Sequence, residues 1–387
     1  MRIGIDVRAI GRQRTGDETY TLQLVRSLAH IDQENTYFLY TDTDDAGELA
    51  KIEKTLNLTN KNFSLVGVTP SAKLLWTFWS LPRQARLDKL DVLHVQYITP
   101  VKIAIGTKIV TTIHDVSFIR YPEFIDKKDL LFLKILIPPS LQHADKIITV
   151  SNFTKKEVSE IYRIDEEKIS AIQNGNADKE FSADISQEDL DLAREKIGVS
   201  EPFILYVGTL QPRKNISSLI EAFAVLNEKY KNVPKIQELK LVIGGRRYGH
   251  NYDQQIDKSV KALPISVREK IVFVGFVDPN IFSAVYRLAT VFCFSSFYEG
   301  FGLPVVEAMA SGVPVVCNEG SCFKEIAGDA ALMYEQGDSN DLAEKLYVAV
   351  TDDQLRQELS SKGMIQSRKF SWQRSAKETL AVYKSLK

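Results

Sequence analysis

Residues 291–326 read VFCFSSFYEGFGLPVVEAMASGVPVVCNEGSCFKEI, and this stretch decides the fold. It opens as a short apolar strand and turns at Ser295, Ser296 and Tyr298. Gly300 and Gly302 then make a loop with few side chains. Pro304 starts a helix where a missing N–H costs nothing, and Gly312 ends it before a second apolar strand over 313–316. Such a strand–loop–helix–strand unit points bare amides and a positive helix end at whatever lies above it, which suits an anion. Glu299 and Glu307 flank the loop. A phosphate alone disfavours two neighbouring carboxylates, whereas vicinal hydroxyls on either side of a phosphate favour them. The unit reads as a site for a nucleotide sugar.

Composition sets the frame. At 387 residues the chain predicts two domains, and 44% hydrophobic with 26% charged residues is ordinary for full globular cores. A net charge of −1 argues against nucleic acid as a partner. The three cysteines lack metal-ligand spacing and their odd number suggests no disulfide framework, so a reducing cytoplasmic setting is expected. The opening MRIGIDVRAI is a strand pattern rather than a signal peptide. The apolar run 130–139, broken by Lys134, falls well short of the roughly 20 residues that span a bilayer. Peripheral contact with the inner membrane face stays open.

The first half alternates strands and helices. A buried strand over 1–7 leads through a loop to a helix over 18–30 with Tyr20, Leu24, Val25 and Leu28 on one face. Gly16, in the segment 15–18, either approaches a phosphate or makes a simple turn before Asp17 caps the helix. After a strand at 37–40, Asp42 and Asp44 form an Asp-x-Asp, which reads as a solvated acidic loop rather than a divalent-ion site. The aromatic stretch 74–81, with Trp76, Phe78 and Trp79, is either core or acceptor surface. Strands at 92–95 and 109–113 follow, the second ending in His114-Asp115. Ligands bind at carboxyl ends of strands in open α/β sheets, so His114 is a candidate contact, with His94 a weaker one. A strand at 146–150, a helix at 153–162 capped by Ser151, and a turn at 173–177 complete this half.

The second half starts again. A strand over 203–207 is followed by Gly208, then by Arg213 and Lys214 in a βα loop, with Asn215 placed to cap the next helix. Strands at 241–244 and 271–275 lead to Phe276 and Val277 at another carboxyl edge. The segment 370–386 is amphipathic.

The nine residues EGFGLPVVE, with Glu299 and Glu307 at their ends, resemble the glutamate pair of the family-four retaining glycosyltransferases. The resemblance implies the GT-B fold: two doubly wound Rossmann-like α/β domains facing across a cleft. It assigns 1–177 to the acceptor side and 178–369 to the nucleotide sugar, with a helix at 370–387 crossing back to the first. It puts the donor phosphates near Gly16, Gly208, Arg213, Lys214 and the amides of Gly300, Phe301, Gly302 and Leu303. The nucleobase falls at Phe276 and Val277, the ribose at Glu307, the sugar hydroxyls at Glu299, and His114 meets the sugar from the opposite domain. Gly11 and Gly16 are present in the first loop, but two acids follow Gly16, a departure that puts its phosphate contact in doubt.

The implied reaction is hexose transfer to an acceptor hydroxyl with retained configuration, without metal or other cofactor. His114, Glu299, Arg213 and Lys214 would carry it. Chains that open MRIGIDVRAI and later read IHDVSF look like mannosyltransferases using GDP-mannose, with UDP-linked hexoses as the alternative. The expected acceptor is a growing glycan or lipid-linked sugar. An epimerase or phosphorylase of the same fold and an inactive sugar-nucleotide-binding subunit remain competing readings. A dinucleotide-dependent dehydrogenase is disfavoured, since the first strand lacks the spaced glycines of that fingerprint.

Overall fold

A computed structural model describes residues 1–11, 16–69, 75–100, 106–176, 185–247, 249, 251–278 and 281–387. Thr15, Leu74, and the expected domain junction at Ala177 and Asp178 lie outside the described residues. The chain divides into two compact units, residues 1–175 with 371–387, and residues 176–370.

In the first unit the described strands form one parallel sheet in the order β3-β2-β1-β4-β5-β6-β7. They are β1 (Arg2–Asp6), β2 (Thr36–Thr41), β3 (Phe63–Gly67), β4 (Val92–Gln96), β5 (Lys108–Ile113), β6 (Lys146–Thr149) and β7 (Ile169–Ala171). The helices of seven or more residues are α1 (Gly16–Ile31), α2 (Ala46–Leu56), α3 (Leu81–Leu87), α4 (Lys127–His143) and α5 (Asn152–Tyr162). Strand order reverses after β3: α1 and α2 carry the chain toward one edge, α3, α4 and α5 toward the other. Right-handed crossovers therefore put these two sets on opposite faces. Side chains agree, because successive residues of a strand face opposite ways. Leu93 and Val95 of β4 pack with Trp76, Leu81 and Ala85, whereas His94 between them bonds to the terminal helix.

Several ends are capped as local chemistry dictates. The Ser151 hydroxyl accepts from the Thr154 amide at 3.0 Å at the start of α5. Asp45 accepts from the Glu48 amide at 2.8 Å at the start of α2, so the acidic turn that contains Asp42 and Asp44 supplies a cap. In the aromatic stretch the core reading holds for Trp76 and not for Trp79. Trp76 is fully buried with the Arg8 guanidinium 3.8 Å from its ring centre, while Trp79 is 73% exposed. Residues Trp76–Ser80 form a wide π-turn in which the Leu81 amide reaches back to the Trp76 carbonyl. Pro82, which has no N–H, sits at the start of α3 just beyond it.

The described strands of the second unit are β8 (Phe203–Val207), β9 (Lys240–Gly244), β10 (Ile271–Gly275), β11 (Val291–Phe294), β12 (Val315–Asn318) and β13 (Ala331–Tyr334). They form a parallel sheet in the order β10-β9-β8-β11-β12-β13. Its longer helices are α6 (Gln187–Ile197), α7 (Ile216–Lys229), α8 (Gln255–Ala262), α9 (Phe282–Leu288), α10 (Leu303–Ala310), α11 (Ser339–Thr351) and α12 (Asp353–Ser367). All four residues of β11 and of β12 are buried, as parallel strands covered on both faces require.

The last helix, α13 (Trp372–Lys384), belongs to the first unit and packs along α1. Its Tyr383 hydroxyl lies 2.6 Å from His94 Nδ1, and His94 Nε2 lies 2.7 Å from the Thr112 hydroxyl. Gly175 stands where the chain passes this helix, and a Cβ on it would come within 2.0 Å of the Trp372 amide nitrogen. Only glycine fits there.

Candidate functional site

In the second sheet the order turns back between β8 and β11, and a doubly wound sheet opens its ligand crevice at such a point. The loop after β8 brings Arg213 and Lys214 on a single 3₁₀ turn, Pro212–Lys214. The loop after β11 brings Glu299. These two loops are tied by polar contacts to backbone. The Ser295 hydroxyl donates to the Lys214 carbonyl at 2.9 Å and the Phe297 amide to the Arg213 carbonyl at 2.9 Å, while Asn318 Nδ2 at the end of β12 donates to the Ser296 carbonyl and holds the second loop from its other side.

On this frame three charges meet. Lys214 Nζ pairs with Glu299 Oε1, and Arg213 Nη1 lies 3.1 Å from Glu299 Oε2 while also donating to the Tyr298 carbonyl. The Ser296 hydroxyl donates to Glu299 Oε1 at 2.6 Å. All three charged side chains are mostly covered, at 11% exposure for Glu299, 12% for Lys214 and 17% for Arg213. Burial by itself raises the Glu299 pKa. The charges of Arg213 and Lys214, with hydrogen bonds from Lys214 and Ser296, outweigh it and bring the carboxyl down to about 2. The carboxylate is ionised at neutral pH, and two cations against one anion leave the cluster at +1. A positive cluster at the carboxyl edge of a sheet is suited to an anion such as a diphosphate.

The glycine loop completes this edge. Gly302 has φ +85°, in the left-handed region, and a Cβ there would also press to 3.0 Å on the Phe323 ring. Phe301 turns its side chain into the core against Phe370, at 5.4 Å between ring centres, so this residue offers the site its backbone only. Leu303 is the first residue of α10 and Glu307 lies one turn further on. There the Tyr286 hydroxyl donates to Glu307 Oε2 at 3.1 Å. Gly208 follows β8, and its amide donates to the Gly244 carbonyl at 3.1 Å. At the end of β10 Phe276 is 55% exposed beneath the Arg246 guanidinium, 5.0 Å away, whereas Val277 is buried.

The first sheet reverses between β1 and β4, and its candidates gather at that carboxyl edge. The His114 ring is held by a defined chain of donors. The Thr21 hydroxyl donates to the Asp17 carbonyl at 2.7 Å, so it must accept from Gln96 Nε2 at 2.6 Å. Gln96 then turns Oε1 to His114, 2.8 Å from Nε2. His114 therefore carries a proton on Nε2. Tyr20 meets the ring edge-on at 4.7 Å, and Asp17 Oδ1 lies 3.9 Å from Nε2. Gly16 begins α1 in open space, with nothing near where a Cβ would stand, so no crowding demands glycine there.

Three local expectations need revision. Asn215 does stand before α7, but at φ 51° its side chain caps no backbone amide and instead accepts from the Ser218 hydroxyl at 2.8 Å. Asp17 lies in the first turn of α1, which begins at Gly16, and so does not precede the helix as its cap. His94 is structural: burial, followed by the nearby His114, pushes its pKa down to about 3, and both ring nitrogens are bonded. Sequence reading gave no site role to Gln96, Thr21, Ser296, Tyr286 or Ser321, whose hydroxyl accepts from the Glu299 amide at 2.8 Å. Of these only the two serines lie within the quoted stretch 291–326, and nothing in the sequence marks the rest.

Two parallel doubly wound sheets, each with its candidate residues at the reversal of strand order, define a GT-B-type glycosyltransferase frame. Solved structures share it from end to end. Anabaena HepE in complex with UDP-glucose matches with a TM-score of 0.76 at 17% identity, covering 100% of both chains. WaaG, a glycosyltransferase of lipopolysaccharide biosynthesis, matches at 0.72 and 14% identity over 99% of each. Residues 14–177 match the model for Glycosyltransferase Family 4 and residues 188–365 that for Glycosyl transferases group 1, and the chain belongs to this glycosyltransferase family. Among curated relatives, O-antigen chain mannosyltransferase B of Escherichia coli is 27% identical with 100% of both chains covered. The O-antigen chain mannosyltransferase RfbU of Salmonella typhimurium is 25% identical over 86% of this chain and 87% of its own.

Proposed function

We propose that this chain is a metal-independent, retaining mannosyltransferase that moves mannose from GDP-mannose to a hydroxyl of a growing glycan or lipid-linked sugar. The observation that carries the transfer chemistry is the Arg213–Glu299–Lys214 cluster at the strand-order reversal. The choice of sugar rests on full-length similarity to an O-antigen chain mannosyltransferase. In the proposed reaction the bond from the anomeric carbon to the diphosphate oxygen breaks. The acceptor oxygen bonds to the same face of that carbon, and the acceptor proton passes to the departing oxygen. Arg213, Lys214 and the amides from Gly300 to Leu303 would stabilise the charge that grows there. Donor phosphates would draw the two cations from Glu299, whose carboxylate would then accept from sugar hydroxyls. Glu307 would hold the ribose and Phe276 with the Val277 backbone the base, while Gly16 and Gly208 would give the phosphates room. His114, from the other unit, would contact the sugar. Fixed cations make a divalent ion redundant, and Asp42 and Asp44 would take no part.

The test is transfer from a panel of nucleotide sugars to a mannosyl acceptor, with the product anomer read by proton NMR. Mannose transfer from GDP-mannose, undiminished in excess EDTA and slowed roughly 100- to 1,000-fold by Lys214→Ala, is the expected result. Inactivation by EDTA with rescue by manganese would refute the metal-free reading. A UDP-linked hexose is the second donor reading, favoured by the likeness to a structure holding UDP-glucose, and the same panel decides it.

A further inference from the structure

Among the described residues six other than glycine hold a positive φ. Asn57 and Arg163 end α2 and α5, and Lys89 closes the turn after α3. The remaining three stand in loops after strands: Tyr97 after β4, Asn215 after β8 and Ser321 after β12. Asn215 and Ser321 border the charged cluster of the second unit. Tyr97, at φ 59°, is the bulkiest of the six and lies in the first unit. Its conformation is strained, because a side chain there crowds its own carbonyl. The Ile98 amide donates to the Gln96 carbonyl at 2.7 Å, so Tyr97 is the centre of a γ-turn of the rare hand. Both sides of the turn are anchored. The Tyr97 amide donates to the Thr112 carbonyl at 3.0 Å, and the Thr99 amide to the Ser140 hydroxyl at 3.0 Å. Strain that the surroundings hold in place in this way gathers at functional positions.

The turn changes what two neighbouring side chains can reach. In an extended strand Gln96 and Tyr97 would face opposite ways. Here both meet His114: Gln96 Oε1 lies 2.8 Å from Nε2, and the half-buried Tyr97 ring lies 5.6 Å from the imidazole between centres. With its proton on Nε2, the neutral His114 ring keeps a lone pair on Nδ1, and among the described residues nothing hydrogen-bonds to that atom. Asp17, half exposed, adds a carboxylate 3.9 Å from the same ring. Arg8, just after β1, is already engaged by both oxygens of Asp6. An aromatic face beside two hydrogen-bond acceptors suits an uncharged ligand with C–H groups on one face and hydroxyls on its rim, which describes a pyranose. A diphosphate would be repelled by Asp17 and is suited to the positive cluster of the second unit.

From this we infer that Tyr97 is the platform for the terminal pyranose of the acceptor. One C–H face of that sugar lies on the Tyr97 ring, and one of its hydroxyls donates to His114 Nδ1. The inference rests on the reading of this chain as a mannosyltransferase and adds to it a residue that selects the acceptor. The acceptor is favoured over the donor's own hexose because the cluster suited to the donor phosphates belongs to the second unit. The strained turn then has a function: it brings a flat ring to the side of the strand end where His114 stands.

The experiment uses the full chain with α-mannobiose as the acceptor probe. Saturation-transfer NMR in the presence of GDP reads binding without turnover, and steady-state kinetics with GDP-mannose reads each KM. In the parent, saturation should be strongest on the C–H protons of one face of the terminal mannose. Tyr97→Ala should abolish that pattern and raise the α-mannobiose KM about ten-fold, with the GDP-mannose KM changed less than about two-fold. Tyr97→Phe keeps the ring and should recover most of the lost affinity. Tyr97→Gly relieves the strain without supplying a ring. It should melt about 2–4 °C above Tyr97→Ala yet show the same raised acceptor KM. A parent that transfers mannose with an α-mannobiose KM indifferent to Tyr97→Ala would overturn the proposal and leave the mannosyltransferase reading intact. A rise in the GDP-mannose KM instead would place the donor's hexose on the ring and overturn it too. So would recovery of the acceptor KM in Tyr97→Gly, or no saturation of α-mannobiose by the parent. A parent inactive with GDP-mannose would refute the donor reading, while the NMR comparison would still decide the role of Tyr97.

Discussion

Replacing Glu299 by Gln keeps the shape of the site and removes its one negative charge. Arg213 and Lys214 would then face each other, largely buried, with no counter-charge. The carboxyl stands at about 2 in the folded chain against an ordinary 4.5, and a depression of that size is worth about 3 kcal/mol of stability at neutral pH. Removing one partner of a buried pair costs about the same, roughly 3–5 kcal/mol, by an independent route. For a unit the size of residues 176–370, about 3 kcal/mol corresponds to a fall in Tm of roughly 6–12 °C. The pH dependence gives a second reading. A depressed acid contributes its full stability above its unfolded pKa and loses it as pH falls through the folded one. The gap between parent and variant should therefore be constant above about pH 4.5 and close as pH falls toward 2. Differential scanning calorimetry across this range is the assay. A gap below about 2 °C at pH 7, or one unaffected by acid, would refute the energetic account of the cluster. In the same variant GDP, which no longer competes with a carboxylate, should bind at least as tightly as in the parent by calorimetry.

Four further outcomes are expected. Glu307→Ala should weaken GDP and GDP-mannose by a similar factor, since hydrogen bonds to a charged acceptor contribute about 1.5–3 kcal/mol, and isothermal titration with each ligand would expose any difference. His114→Ala should lower transfer strongly with GDP affinity little changed, and transfer at the parental rate would remove His114 from the reaction. Tyr383→Phe deletes the 2.6 Å bond to buried His94 and should cost about 1–3 kcal/mol. With His94 held near 3 against 6.5 unfolded, stability of the first unit should decline as pH falls from about 6.5, earlier than that of the second.

Much of the fold follows from local chemistry that a sequence displays. The buried strands around Val291–Phe294 and Phe203–Val207 are continuous apolar runs. Pro304 and Gly312 bracket α10, and Ser151 caps α5, because these residues act through their own backbone geometry or one short hydrogen bond. The motif EGFGLPVVE likewise marks Glu299 and Glu307, since its glycines and proline set the loop that carries them.

What the sequence could not state is which groups meet. Arg213 and Lys214 lie 85 residues from the Tyr298 carbonyl and the Glu299 carboxylate that engage them, and strand order alone brings the two loops together. The Thr21–Gln96–His114 chain spans three elements, so the protonated nitrogen of His114 is a property of packing. His94 and His114 both belong to apolar strand patterns and read alike, yet His94 lies inside β4 and His114 just beyond the end of β5. Strand alternation and the register of α13 separate them, turning one into the core against Tyr383 and leaving the other at the edge. The same holds for Trp76 and Trp79: residues three apart share a face on an ordinary helix, and it is the wide π-turn over Trp76–Ser80 that leaves one in the core and the other in solvent.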